Sequence, residues 1–151
     1  MATAKVRIVA VNGKSPATAA LIQHLQLVCL PIDKPIKSDK GLWWIAYQGE
    51  LAVAFAAMSP SSSWRDTGYL SRSGVLPSHR GNGLQKRLVR VRERKARALG
   101  WKWLITDTRC NPPSSNSLIA MGFRLFEPTR PWGHTDALYW RKSLVKPPRA
   151  K

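Results

Sequence analysis

Ser73-Gly74-Val75-Leu76-Pro77-Ser78-His79-Arg80-Gly81-Asn82-Gly83-Leu84-Gln85-Lys86 reads as a strand end, a glycine-containing turn and the start of a cationic helix in direct succession. Those residue types suit an anion. Glycines at 81 and 83 remove side chains where backbone N–H groups have to approach a phosphate. The unpaired amides and positive dipole end of the following helix favour a pyrophosphate at that point. Taken alone, the glycine pair also fits a tight turn before a helix with no ligand.

The elements that must position this turn are written in the surrounding periodicity. Residues 5–11 alternate as a first strand, and Ser15-Pro16 reads as an N-cap and first position of a helix carrying Ala20, Leu21, Leu25 and Val28, ended by Pro31 and Pro35. Residues 41–47 and 51–58 form two apolar runs joined by Gln48-Gly49-Glu50, the signature of a hairpin. Residues 59–66 read as a loop, 68–76 as a long strand and 81–99 as a long helix stopped by Gly100. Then come a strand over 101–108, a short helix over 114–121, a strand over 122–127, a loop over 128–134 and a last strand over 136–144. This order argues for a mixed sheet with helices on both faces. At 151 residues with 44% hydrophobic content, the chain suits one domain, 1–144, followed by a basic, mobile tail over 145–151.

The strand, the Arg80-Gly81-Asn82-Gly83 turn, the long helix and residues 111–123 together resemble the GNAT superfamily of acetyl-CoA-dependent N-acetyltransferases. The likeness runs from about Tyr69 to Phe123. In that family a strand ending in Val-x-Pro leads into an Arg/Gln-x-x-Gly-x-Gly/Ala turn. Val75-Leu76-Pro77 and Arg80-x-x-Gly83 match it, while Gln85 stands where a small residue is usual. An Asn at the end of the next strand, followed by a helix and Gly-Phe, is matched by Asn111, the 114–121 helix and Gly122-Phe123.

The resemblance implies a GNAT-like α/β fold, with a mixed, mostly antiparallel central sheet and helices on both faces. It also implies a bound acetyl-CoA whose pantetheine pairs with the backbone of Ser73, Gly74 and Val75. The pyrophosphate would lie on the backbone of Arg80, Gly81, Asn82, Gly83, Leu84, Gln85 and Lys86, with Asn111 and Ser114 contacting the cofactor further along. The Val75 N–H would polarise the thioester carbonyl. Many members carry a Tyr seven residues after the Asn and some a Glu five before it, and the corresponding residues here are Leu118 and Thr106. Ser117 and Tyr139 join Val75 as catalytic candidates, with His134, Ser73 and Asp107 nearby. Tyr139 also reads as an ordinary sheet residue, Asp107 as a strand-end hydrogen-bond partner and His134 as a loop residue.

Lysine and arginine number 25 against eight acids, giving a net charge of +17. Eleven of those cations and two of the acids fall between Arg72 and Arg109. The excess exceeds what CoA phosphates need, so an acidic protein or a nucleic-acid-associated acceptor is the expected partner. No RNA- or DNA-binding signature accompanies the charge. Trp43, Trp44, Trp101, Trp103 and Trp140 read as core, and the loop residues Trp64 and Trp132 as candidates for a substrate mouth. Cys29 and Cys110 lack metal-site spacing, and no apolar run is long enough to span a membrane. A cytoplasmic protein without membrane contact is therefore expected. Two alternatives to an acetyltransferase stay open: a catalytically silent GNAT-fold module holding CoA or nucleic acid, and a basic nucleic-acid-binding protein whose glycine turn contacts phosphate.

Overall fold

The computed structural model describes residues 5–145, so the tail expected over 145–151 lies, apart from Val145, outside the described residues. The strands are β1 (Val6–Val11), β2 (Leu42–Gln48), β3 (Leu51–Pro60), β4 (Thr67–Val75), β5 (Trp103–Thr108), β6 (Arg124–Phe126) and β7 (Leu138–Ser143). The helices are α1 (Pro16–Cys29), α2 (Leu84–Ala98) and α3 (Pro112–Ala120). They build a seven-stranded sheet in the order β1-β2-β3-β4-β5-β7-β6. The fold is mixed α/β with a mostly antiparallel sheet, as expected. The chain divides into two compact units, one from the N-terminal side to Ser59 together with Ser71–Val89, the other Pro60–Leu70 together with the chain from Arg90 onward.

In the first unit, β1, β2 and β3 pair antiparallel, and β2 passes into β3 at Gln48↔Leu51 through a two-residue turn. Gly49 sits there at φ 59°, the positive value such a turn demands. Strand alternation sorts the apolar residues onto two faces. Trp43, Ile45, Phe55 and Ala57 pack with Ile22, Leu25 and Cys29 of α1. Ala46, Ala54 and Ala56 pack with Val75 and with Leu84 and Leu88 of α2. Small residues on the second face let α2 approach closely, while full burial of each large residue on the first contributes roughly 1.5–3 kcal/mol. Gly74 has a packing reason of its own: a Cβ there would stand 2.6 Å from Cys29 Cβ and 2.8 Å from the Phe55 ring. Gln26 is fully buried and satisfied, its side-chain amide donating to Ile36 O at 2.8 Å and accepting from Ile36 N at 2.9 Å. That pair of bonds pins the connection between α1 and β2.

In the second unit, β4 and β5 run parallel with pairs Thr67↔Trp103, Gly68↔Leu104 and Tyr69↔Ile105. β5 pairs antiparallel with β7, and β7 with β6. The long α2 crossover is what permits the parallel pair.

Several boundaries differ from the sequence reading. Helix α2 starts at Leu84 rather than 81, because Gly81 and Gly83 take φ of 83° and 77°, outside helical space. Pro77–His79 forms a 3-10 turn that the sequence reading missed. Helix α3 starts at Pro112, two residues before the expected 114, because Asn111 caps it through a side-chain bond from Ser114 N. The strand expected over 122–127 shortens to three residues, since Gly122 sits at φ 90° and Phe123 N still bonds back to Leu118 O. Ser15 occupies the N-cap of α1 in extended conformation but makes no side-chain capping bond. Trp101 precedes β5 and is half-buried rather than a strand residue. Among the described residues no helix is long and apolar enough to cross a membrane, and no cluster of His, Cys, Asp or Glu could hold a metal.

Candidate active site

The end of β4 carries the first group of expected residues. Leu76 N donates to Val53 O at 2.9 Å, toward β3. Because successive strand N–H groups point to opposite edges, the Val75 N–H faces away from β3. The ladder with β5 ends at Tyr69, well before the end of β4 at Val75. On the same edge as its N–H, Val75 O accepts from Arg80 Nε at 3.2 Å, and Arg80 Nη2 reaches Cys29 O at 3.3 Å. Arg80 therefore ties the end of β4 to the C-terminus of α1 through its side chain, while its backbone begins the glycine turn. Burial pushes the Cys29 thiol up from its ordinary value, and the nearby Arg80 charge partly opposes this.

Gly81 and Gly83 are exposed, and a Cβ on either would meet nothing within 4 Å. Their absence of side chains thus serves backbone conformation and open access rather than packing. The first intrahelical bond of α2 runs from Arg87 N to Gly83 O at 3.2 Å, so the amides of Leu84, Gln85 and Lys86 have no acceptor within the helix. Gln85 departs from the small residue usual at that place. The structure gives it a partner, since Ser73 Oγ donates to Gln85 Oε1 at 2.9 Å, joining the strand end to the helix start.

The second unit holds the remaining candidates. Asn111 and Ser114 meet locally, the Asn111 Oδ1 accepting from Ser114 N at 3.2 Å as the cap of α3. Ser117 is half-buried on α3, and no hydrogen bond joins it to Tyr139 among the described residues. Tyr139 is 7% exposed on β7, and its hydroxyl accepts from Gly133 N at 2.9 Å. Leu118 is buried, and Thr106 is buried with its hydroxyl donating to Leu70 O at 2.9 Å. Neither can handle a proton for a reacting group. His134 is exposed in its loop. Asp107 is more engaged than a strand-end partner need be, accepting at Oδ1 from both Tyr69 Oη at 2.6 Å and Trp132 Nε1 at 3.0 Å. Tyr69 was missed as a site residue because nothing in its strand context marks its hydroxyl.

The cationic count also resolves into roles. Arg87 donates to Val6 O at 2.7 Å, and Arg97 to Leu144 O at 2.7 Å beside a weak pair with Glu93. Arg92 is 2% exposed, and burial pulls its guanidinium down to about 9, still charged at neutral pH. Arg90, Arg94 and Lys95 are exposed.

The sequence matches the acetyltransferase (GNAT) family over residues 19–123. No curated protein matches the chain. The structure of yncA from Salmonella typhimurium with its cofactor acetyl-CoA superposes with a TM-score of 0.74 at 16% identity, covering 98% of this chain and 99% of that one. IAA acetyltransferase from Bacillus cereus gives 0.73 at 19% identity over 93% and 100% of the two chains. The ribosomal-protein-S18-alanine N-acetyltransferase from Escherichia coli gives 0.73 at 15% identity over 95% and 96%. At these identities the structural likeness speaks for the fold, and the family match, which spans more than half of the residues, speaks for descent: the chain belongs to the GNAT acetyltransferase family.

Proposed function

We propose that the protein transfers an acetyl group from acetyl-CoA to an amine on an acidic partner. The observation that carries this is the end of β4, where the Val75 N–H points away from β3 just before a positive-φ glycine turn opens α2. The residues present fit the cofactor: free helix-start amides lie behind glycines whose missing side chains leave open space. Acetyl-CoA, when bound, supplies the activated acetyl group. The edge of Ser73, Gly74 and Val75 would hold the pantetheine, and the amides from Arg80 to Lys86 the pyrophosphate. The Val75 N–H would donate to a carbonyl oxygen as negative charge develops there. The Ser73–Gln85 bond keeps the two parts of this surface in fixed register.

No side chain at the Leu118 or Thr106 positions can serve as acid or base. Catalysis would then rest on positioning and on the oxyanion donor, the amine giving up its proton to solvent. Exposed Arg90, Arg94 and Lys95, in a chain of net charge +17, support an acidic partner as the carrier of the amine. Both cysteines are free thiols, which supports a cytoplasmic location. The test is mass spectrometry of acidic proteins and small amines after incubation with the protein and acetyl-CoA. A gain of one acetyl mass at an amine is expected; acetyl-CoA that binds yet is never consumed with any acceptor would favour a silent CoA-binding module.

A further inference from the structure

Asp107 is a half-buried carboxylate to which both hydrogen bonds, from Tyr69 and from Trp132, fall on one oxygen. Among the described residues its Oδ2 accepts none, and Asp107 enters no ion pair. The three ion pairs among the described residues use Glu93 and Asp136. In a chain with 25 cations and eight acids, a carboxylate set among rings without a cationic partner calls for one from outside. The rings around it stand nearly perpendicular to one another. Tyr69 and Trp132 have centroids 6.1 Å apart at 84°, and Trp132 and Tyr139 4.6 Å apart at 73°. Gly133 keeps the space beside Oδ2 free of a side chain, since a Cβ there would lie 3.3 Å from Oδ2 and 3.2 Å from Tyr139 Oη. Gly133 is exposed, and Tyr69 and Trp132 are half-buried, so the group is open to solvent.

We propose that Asp107, with the rings of Tyr69, Trp132 and Tyr139, forms a recognition site for an alkylammonium group of the acceptor. A carboxylate oxygen and a group of aromatic rings in one place are the two features that attract an organic cation. An anionic ligand would meet the carboxylate, and a neutral apolar one would leave Oδ2 unmatched. The distant positive charge of the chain does not prevent this, because it is screened beyond about 8 Å at physiological ionic strength. Calling the ligand an acceptor rests on the amine acetylation proposed above; the binding itself does not.

The test is an NMR titration of the 15N-labelled full chain with n-butylammonium chloride and, in parallel, n-butanol, read at the Trp132 indole N–H. That signal is assigned by its loss in Trp132→Leu. The wild type should prefer the ammonium at least tenfold over the isosteric alcohol. Asp107→Asn retains an acceptor for Tyr69 and Trp132 and should keep the thermal midpoint within a few degrees while losing the preference. A purely structural carboxylate would change stability without changing that ratio. Trp132→Leu, followed at the backbone amide of Gly133, should weaken the ammonium at least threefold and serves as the second variant if Asp107→Asn does not fold. Equal binding of the two probes by the wild type, or an undiminished preference in either folded variant, overturns the proposal. Acetyl-CoA is titrated separately: ammonium binding without acetyl-CoA binding would sink the proposed function and leave this site standing, and the reverse result would do the opposite.

Discussion

The two units make their candidate sites from different materials. In the first, the chemistry lies in the backbone: the Val75 N–H, the amides that open α2, and glycines at 81 and 83 whose positive φ shapes the turn. In the second, it lies in side chains, with Asp107 held by Tyr69 and Trp132 against Tyr139. A backbone site needs only a short stretch of chain in the right conformation, so its residues are contiguous. A side-chain site draws residues 69, 107, 132 and 139 from four separate segments. The first kind suits a ligand shared by a whole family, and the second suits a ligand that differs from member to member.

The largest effect that can break this contrast is at Gly74, where the backbone surface leans on the core. Gly74→Val should destabilise the protein by about 1–3 kcal/mol, since the added atoms collide with Cys29 and Phe55. A fall in thermal midpoint of about 3–10 °C is expected, and an unchanged midpoint would show that α1 gives way freely. Next is Arg80→Ala, which removes the ties to Val75 O and Cys29 O. At an exposed residue these are worth about 1 kcal/mol in stability, measurable by urea unfolding. Lysine should not restore it, because one ammonium cannot reproduce the guanidinium fork.

The pH dependence of transfer sharpens the comparison from the other side. With Leu118 and Thr106 unable to act as acid or base, kcat/KM for a lysine acceptor should keep rising with pH toward the amine's own value of about 10.4. A plateau beginning near pH 7 would reveal an enzyme base, and Asp107 and His134 would be the first residues to replace. Leu118→Tyr places a larger side chain with a hydroxyl at a buried position, so a loss of stability accompanies any gain in turnover.

The smallest effect concerns the cysteines. Exposed Cys110 should react with a thiol reagent in the folded protein, and buried Cys29 only on unfolding. Above pH 9 the unfolded chain ionises Cys29 while the folded protein keeps its proton, so the unfolded state binds fewer protons there. The contribution of Cys29 to stability should therefore decline as pH rises through 9, narrowing the gap between wild type and Cys29→Ala in denaturant titrations. A gap that widens would contradict the raised thiol value.

How much of this was legible beforehand follows the same division. The hairpin at Gly49 and the glycine turn could be read from local spacing because turn chemistry is a property of neighbouring residues. The expected α1 face of Ala20, Leu21, Leu25 and Val28 holds only at Leu25 and, half-buried, at Leu21: the helix turns Ile22, Gln26 and Cys29 inward and leaves Ala20 and Val28 exposed, since several apolar stripes fit the same spacing and the sheet selects one. The start of α2 was misplaced because a glycine continues a helical pattern on paper whether or not its φ is positive. Gln85 looked like a departure from the family pattern, and only the placement of Ser73 opposite it shows what the longer side chain holds. Asp107 was seen as a hydrogen-bond partner without its partners, since Tyr69 and Trp132 reach it through strand pairing and a loop path that no spacing rule encodes. Likewise, a tally of arginines could not separate exposed Arg90 and Arg94 from buried Arg92, which occupies the opposite phase of the same helix.

The claim on which the account turns is that backbone amides behind Gly81 and Gly83 hold a pyrophosphate. Calorimetry with acetyl-CoA and with acetyl-pantetheine, which lacks the pyrophosphate, tests it in the wild type and in Gly83→Val, a position where a side chain has room but a strained φ. The wild type should bind acetyl-CoA far more tightly than acetyl-pantetheine, and the folded variant should lose that preference at least tenfold while holding acetyl-pantetheine unchanged. A folded Gly83→Val protein with wild-type affinity for acetyl-CoA would contradict the account.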